Sequence, residues 1–175
     1  MVKSKKLNIL GLILLFATTI SWGTSFIILK NTIETVSVFY VIAIRFTLSS
    51  LLIGAIFFKK IIKTPKRTIL NGIILGVILT FAYDIQTFGL AETSPARNAF
   101  LTGSYCILTP FLAWLLIKKR PALYNVLAAV LCILGIALVV FSGSSDNGGM
   151  IIGDLLTLLA AVFYAMQIIF IDKFQ

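Results

Sequence analysis

The stretch "ILNGIILGVILTFAYDIQTFGL", residues 69–90, decides the fold class of this chain. At a helical rise of about 1.5 Å per residue, an apolar run of this length crosses a bilayer core roughly 30 Å thick. A single segment in hydrocarbon must satisfy its own backbone hydrogen bonds, so we predict a transmembrane helix. Asp84 lies inside this run, where its charge must leave water and needs a partner or a wet cavity.

Similar apolar runs fill the rest of the sequence. The chain has 175 residues, of which 59% are hydrophobic and 12% charged, whereas soluble domains are about half apolar and about a quarter charged. This composition predicts an all-α membrane protein, a polytopic bundle of six transmembrane helices in a lipid bilayer. The predicted spans are residues 7–29, 36–58, 69–90, 97–117, 122–142 and 151–171.

The excess of basic residues predicts the orientation of the bundle. The chain carries 15 Lys and Arg against 6 Asp and Glu, a formal net charge of +9. Most of the basic residues lie in the N-terminal tail, the second and fourth loops and the C-terminal end, whereas Lys30 and Arg97 lie on the opposite side. Because basic residues concentrate in cytoplasmic loops, both ends are predicted to be cytoplasmic. Topology thus explains the charge, and nucleic acid is not expected as a partner.

The residues that usually carry catalysis or hold metals are scarce. Cys106 and Cys132 both lie within apolar runs, and the sequence has no histidine. We therefore expect no disulfide framework, no metal site and no cofactor. Without a nucleophile and base pair, enzymatic activity is not expected either.

Two charged residues fall inside predicted spans at similar depths. Arg45 lies roughly 14 Å and Asp84 roughly 9 Å below the outer surface when the helical rise is applied to each span. We expect them to pair across spans two and three. One interpretation is a charged site for a polar substrate or a proton relay, and the other is a structural ion pair that fixes the helix registry.

Polar side chains share one face in each of spans one, three and four. The three sets are Thr18, Ser21, Trp22 and Ser25; Thr80, Tyr83, Asp84 and Thr87; and Asn98, Thr102, Tyr105 and Thr109. They predict a shared polar lumen, although small and hydroxyl residues also let membrane helices approach closely. The residues predicted to line the cavity or bind substrate are Trp22, Ser25, Arg45, Tyr83, Asp84, Thr102 and Tyr105.

Glycine and proline add two local expectations. Gly72 and Gly76 form a GxxxG pair, which favours helix packing over a binding role. Pro110 removes a backbone hydrogen bond inside span four and predicts a kink there.

A weak internal repeat is also visible. Shifting the chain by 142 residues places "LLFATTISWGTSFIILKN" (14–31) over "LTLLAAVFYAMQIIFIDK" (156–173) and pairs Trp22 with Tyr164. Any two membrane helices share apolar letters, so this match alone leaves the repeat open. If the unit is five spans, the second copy enters from the other face, which is the architecture of many secondary transporters.

Three segments resemble the EamA-type transporters of the drug/metabolite transporter superfamily. They are "SWGTSFIILKNTIE" (21–34), "FYVIAIRFTLSSLLI" (39–53) and the stretch that begins "GLAETSPARNAFLTGSYCILTPFLAWLLIKKRP" and continues to residue 143. The resemblance implies a ten-helix carrier of two inverted five-helix repeats. Residues 1–143 would be the first repeat and 144–175 the start of the second, with the remainder missing.

The resemblance also assigns particular residues. Arg45 matches the arginine of span two, Trp22 and Gly23 match the tryptophan motif of span one, and Pro110 matches the proline of span four. The turn after span four departs from the family, because many relatives have an acidic residue where this chain has residues Lys118 to Arg120. That departure leaves the substrate open.

The function implied by this resemblance is transport of a small-molecule substrate, such as an amino acid, a drug or a related solute. Export by alternating access across a bacterial inner membrane is expected. The missing helices imply a second transporter half or a homo-oligomer as partner, and the charge bias disfavours an antiparallel homodimer. The alternative is a truncated, non-transporting remnant or an accessory membrane subunit.

Overall fold

The computed structural model describes residues 2–118, 120–141 and 148–174, and within these ranges every regular element is a helix. This confirms the predicted all-α polytopic membrane protein. The helices are α1 (Val2–Ile33), α2 (Val38–Ile61), α3 (Lys66–Glu92), α4 (Pro95–Gly103), α5 (Tyr105–Ile117), α6 (Leu123–Phe141) and α7 (Gly148–Phe174).

Five segments of the described chain are long and apolar enough to cross a membrane. They are Gly11–Ile33, Val38–Ile61, Lys66–Glu92, Pro95–Ile117 and Ile151–Phe174. The apolar part of α6 is shorter, at Leu123–Leu138. The predicted repeat boundary at 143/144 lies outside the described residues, and the cytoplasmic position of the ends stays a prediction.

The fourth span is interrupted earlier than its proline predicts. Pro110 lies within α5, whereas the break between α4 and α5 falls at Ser104. The Ser104 backbone N–H and its hydroxyl both donate to the carbonyl of Leu101, at 3.1 and 2.6 Å. This tighter turn and the competing side chain replace the regular pattern of α-helical hydrogen bonds at that residue. The predicted kink therefore precedes Pro110 by more than one turn.

The centre of the packed structure is α7, which pairs most extensively with α3 and also contacts α4 and α5. Small residues on α7 let its backbone approach these helices. The buried positions recur with the helical period at Asp154, Thr157, Ala160, Ala161, Tyr164, Ala165 and Ile169. By contrast, α1 and α2 expose most of their described side chains.

Two glycines allow α3 and α7 to touch through their backbones. A Cβ atom added to Gly153 would lie 2.7 Å from the carbonyl oxygen of Gly89, and one added to Gly89 would lie 2.8 Å from the carbonyl oxygen of Gly153. No real Cβ atom approaches backbone so closely, so both positions require glycine. The GxxxG pair predicted to pack helices behaves differently, because a Cβ at Gly72 or Gly76 meets no atom of the described residues within 4 Å.

We expect Gly153→Ala to destabilise the bundle by about 1 to 3 kcal/mol, because the added methyl group forces α3 and α7 apart. Thermal unfolding of the purified protein in detergent would measure the loss. Gly76→Ala is the matched control, since it adds the same methyl group in open space and should leave the unfolding temperature unchanged. Equal unfolding temperatures for Gly153→Ala and wild type would contradict the close contact.

Candidate functional site

A buried ion pair joins the start of α4 to α7. The Arg97 side chain pairs with Asp154 through its Nη2 atom, and its Nε atom donates to Asp154 Oδ1 at 3.3 Å. The Thr93 hydroxyl donates to the same oxygen at 2.9 Å. Arg97 is only 8% exposed and Asp154 5%. A carboxylate removed from water in this way needs such partners, because desolvating each ion costs several kcal/mol.

Local sequence explains how Arg97 reaches this position. Ser94 caps α4, since its side-chain oxygen accepts a hydrogen bond from the backbone N–H of Arg97 at 3.3 Å, and Pro95 occupies the first helical position. Both residues are favoured at helix starts. The cap therefore fixes the first turn of α4, from which the Arg97 side chain extends to α7.

The sequence patterns do not indicate this pair and predict another. Arg97 is predicted on the side opposite most basic residues, and Asp154 lies at the same end of the predicted bundle. The predicted contact between Arg45 and Asp84 is absent from the structure, in which Arg97–Asp154 is the one ion pair among the described residues. Arg97 and Asp154 lie at similar depths in the predicted bundle, so a comparison of the depths of all charged residues indicates this pair as well.

Lys30 completes the same end of the bundle. Its Nζ atom donates to the carbonyl oxygens of Leu90 and Ala91, at 3.0 and 2.7 Å. The last carbonyls of a helix have no partner within the helix, and a lysine there also interacts favourably with the helix dipole. The C-terminal end of α1 is thereby tied to that of α3.

A chain of polar side chains continues from this end into the bundle. The Tyr164 hydroxyl donates to Gln86 Oε1 at 2.7 Å, and Gln86 Nε2 donates to the Thr102 hydroxyl at 2.8 Å. Thr102 in turn donates to the carbonyl oxygen of Asn98 at 2.7 Å. Asn98 Nδ2 donates to Thr157 Oγ1 at 2.7 Å. The chain crosses α3, α4 and α7 and orients the buried Gln86 and Tyr164.

An aromatic cluster adjoins the end of this polar chain. The ring of Tyr164 lies 5.6 Å from that of Tyr83 and 6.0 Å from that of Tyr105, measured between centroids. Phe46 packs edge to face on Tyr83 at 5.5 Å. The guanidinium carbon of Arg45 lies 5.5 Å from the centroid of the Tyr83 ring. Helices α2, α3, α5 and α7 thus bring one cation and four aromatic rings together.

Arg45 and Tyr83 also line a cavity of about 180 Å³ between α2 and α3. An arginine inside a span costs about 2.5 to 3.5 kcal/mol on insertion scales. The cation–π contact with Tyr83 returns between about 0.5 and 2 kcal/mol, depending on how far the pair is desolvated. The contact with Tyr83 therefore offsets only part of the free energy needed to place the Arg45 charge inside a span.

A larger cavity of about 450 Å³ lies at the other end of the bundle. It lies between α5, α6 and α7 and runs from Cys106 and Pro110 to Arg120 and Asp172. In the predicted orientation this is the cytoplasmic end. Tyr83 of the aromatic cluster lines the smaller cavity, and Cys106, which follows Tyr105 in the sequence, lines the larger one.

The predicted site residues separate into two groups. Arg45, Tyr83, Tyr105 and Thr102 are brought together, with Gln86 and Tyr164 as the connecting residues. Gln86 is not among the predicted site residues. Its position three residues after Tyr83 on the same helix was the available signal.

The other predicted residues lie apart from this cluster. Trp22 is 50% exposed, and the Ser25 hydroxyl donates to the Trp22 carbonyl of its own helix at 2.7 Å. Thr18 and Ser21 of the same stripe are exposed. Asp84 is half-buried and forms no ion pair in the described part of the chain. A role for Trp22, Ser25 or Asp84 in binding stays a prediction.

The fold and this cluster define a polytopic helical membrane protein with a polar and aromatic site between its helices. Residues 9–141 match the EamA-like transporter family, and the chain belongs to that family. The match ends before α7, so Tyr164 and Asp154 come from outside the matched region.

Two curated relatives are similar over most of this chain. An uncharacterized transporter of Archaeoglobus fulgidus is 29% identical over 154 residues, which are 88% of this chain and 46% of that protein. The uncharacterized transporter YyaM of Bacillus subtilis is 32% identical over 147 residues, 82% of this chain and 48% of that protein. The chain therefore spans about half the length of these relatives. No solved structure matches it significantly.

We expect Asp154→Asn to lower the free energy of unfolding by about 3 to 5 kcal/mol, because it removes the negative charge that pairs with the buried Arg97. Thermal unfolding in detergent would measure the change. Asp172→Asn removes an exposed carboxylate from the same helix and should have little effect. The double variant Arg97→Met, Asp154→Leu should recover most of the lost free energy of unfolding. If Asp154→Asn causes no loss and the double variant no recovery, the pairing is contradicted.

Proposed function

We propose that this chain is part of a carrier that exports a small metabolite, such as an amino acid, a drug or a related solute, by alternating access. The proposed substrate site is the cluster of Arg45, Tyr83, Tyr105 and Tyr164. The observation that carries this proposal is the position of Tyr164. It lies on α7, outside the family match, yet it packs on tyrosines of α3 and α5 inside the match.

This arrangement suits a carrier because its substrate site must respond to movement between two parts of the protein. The hydroxyl of Tyr164 is held by Gln86 at 2.7 Å, so a shift of α7 relative to α3 would change the cluster and the hydrogen bond together. The cavity lined by Arg45 and Tyr83 supplies an approach to the cluster. The close contact at Gly89 and Gly153 keeps the opposite end of α7 in place.

Uptake by inverted membrane vesicles tests the proposal. Vesicles that contain the chain should accumulate at least one member of a panel of labelled amino acids and drugs in a saturable way. Tyr164→Ala should lower the initial rate at least about tenfold, because a buried aromatic side chain in a binding site carries a large share of the binding energy.

The matched control is Tyr40→Ala, which removes an exposed tyrosine of α2 and should leave the rate within about twofold of wild type. Accumulation that is equal with and without the protein would contradict transport by this chain alone. A Tyr164→Ala rate equal to wild type would contradict the proposed site.

A second candidate function is that of a subunit that transports only together with another polypeptide, either a second transporter half or another copy. The exposed polar stripe of Thr18 and Ser21 on α1 favours it, because such side chains in a membrane span usually face protein or a wet cavity.

Cross-linking tests this candidate. A single cysteine at Ser21→Cys, in a chain whose own cysteines are replaced by alanine, should form a cross-linked product of higher mass in membranes. The same cysteine at Leu15→Cys, a neighbouring exposed apolar position, is the control and should give less product. Equal yields from the two positions would count against a specific partner on the polar stripe.

A further inference from the structure

Arg45 is a charged residue within a membrane span that has no counter-ion among the described residues. It lies seven residues after the start of α2 at Val38, about 10 Å along the helix axis. The single ion pair of the described chain is formed elsewhere, by Arg97 and Asp154. The contact that Arg45 makes is with the face of Tyr83. Stacking on a ring leaves the N–H edges of a guanidinium available to another group.

The space beside Arg45 is shaped by mostly apolar side chains. The cavity of about 180 Å³ is lined by Ile42, Arg45, Phe46, Ser49, Leu79 and Tyr83. Ser49 adds one hydroxyl, and none of the lining residues is acidic. Two aromatic rings border the cavity, and the edge-to-face packing of Phe46 on Tyr83 holds them in place.

We propose that this cavity binds a small organic monocarboxylate, with the carboxylate on the Arg45 guanidinium and the apolar body against Phe46 and Tyr83. The inference rests on the proposed function, because it assigns the chemical class of the substrate of that site. It also makes the ligand the counter-ion that Arg45 otherwise lacks.

The chemistry of the cavity selects among ligand classes. A guanidinium presents two parallel N–H groups that match the two oxygens of a carboxylate. A cationic ligand would be repelled by Arg45. A dianion would bring a second negative charge into a cavity whose lining holds a single cation, so one of its charges would have no partner there. One negative charge is therefore the best match.

The size of the cavity limits the body of the ligand. Binding sites for drug-sized molecules are about 300 to 1,000 Å³, and this cavity is smaller. A single ring or a short branched chain suits it. Because aromatic rings pack favourably on each other with offset or edge-to-face geometry, a flat ring is favoured over a flexible chain.

Benzoate is a suitable probe, and benzamide is its uncharged counterpart of nearly the same shape. Equilibrium binding of labelled benzoate to the whole chain in nanodiscs at pH 7 should be saturable. Unlabelled benzoate should compete at least about tenfold better than benzamide, because hydrogen bonds to a charged group are stronger than neutral ones. Benzylamine, which is cationic, should not compete.

Variants of Arg45 test the role of its charge and shape. Arg45→Gln should weaken benzoate binding at least about tenfold and change benzamide binding less than twofold. Arg45→Lys should give an intermediate loss, because lysine keeps the positive charge but lacks the two parallel N–H donors of the guanidinium. Arg67→Gln removes an exposed arginine at the start of α3 that lines neither cavity and is the matched control. If Arg45→Gln does not fold, the wild-type comparison of benzoate with benzamide and the Arg45→Lys variant decide.

Several results would overturn the proposal. They are the absence of benzoate binding to wild type, equal binding of benzoate and benzamide, and an equal loss of both ligands in Arg45→Gln. Vesicle uptake separates this inference from the proposed function. Charge-selective binding without any transport would contradict the proposed function and support the carboxylate site. Transport that shows no preference for anions would contradict the carboxylate site alone.

Discussion

The backbone contact between α3 and α7 is the constraint on which the rest of the structure depends. Gly89 and Gly153 have no side chains, so the two helices meet at a distance that a Cβ atom would prevent. At this separation Asp154 and Thr157 of α7 reach Arg97 and Asn98 of α4. Asn98 and Thr157 have short side chains, so their hydrogen bond at 2.7 Å would not span a wider gap.

The buried polar groups follow from this contact and give it specificity. In an apolar medium a hydrogen-bonding group without a partner is unfavourable, so each group of the Tyr164, Gln86 and Thr102 chain favours one registry of α7 against its neighbours. A one-residue rotation or shift of α7 would move Asp154 away from Arg97. The aromatic cluster beside Arg45 therefore has a defined geometry because the opposite end of α7 is fixed.

Much of the fold could be predicted from hydrophobicity, since a bilayer imposes helix length and internal hydrogen bonding on any long apolar run. The site was harder to predict. Periodicity placed Tyr83, Thr102 and Tyr105 on polar faces, but it could not show which faces meet, so the α1 stripe at Trp22 was included and Gln86 was missed. Depth alone paired Arg45 with Asp84, because a depth estimate contains no information about rotation around the helix axis. The break at Ser104 was missed for a different reason, since proline is an obvious signal and a serine hydroxyl that competes for a backbone carbonyl is not.

The hydrogen bonds that α7 supplies also have a consequence for biogenesis. Arg97 and its partner Asp154 are 57 residues apart in sequence, which at bacterial and eukaryotic elongation rates corresponds to about 3 to 11 s of synthesis. During that interval the arginine has been synthesised and its carboxylate has not. The buried ion pair can therefore form only after α7 has been synthesised, so the packing of α4 against α7 is completed late.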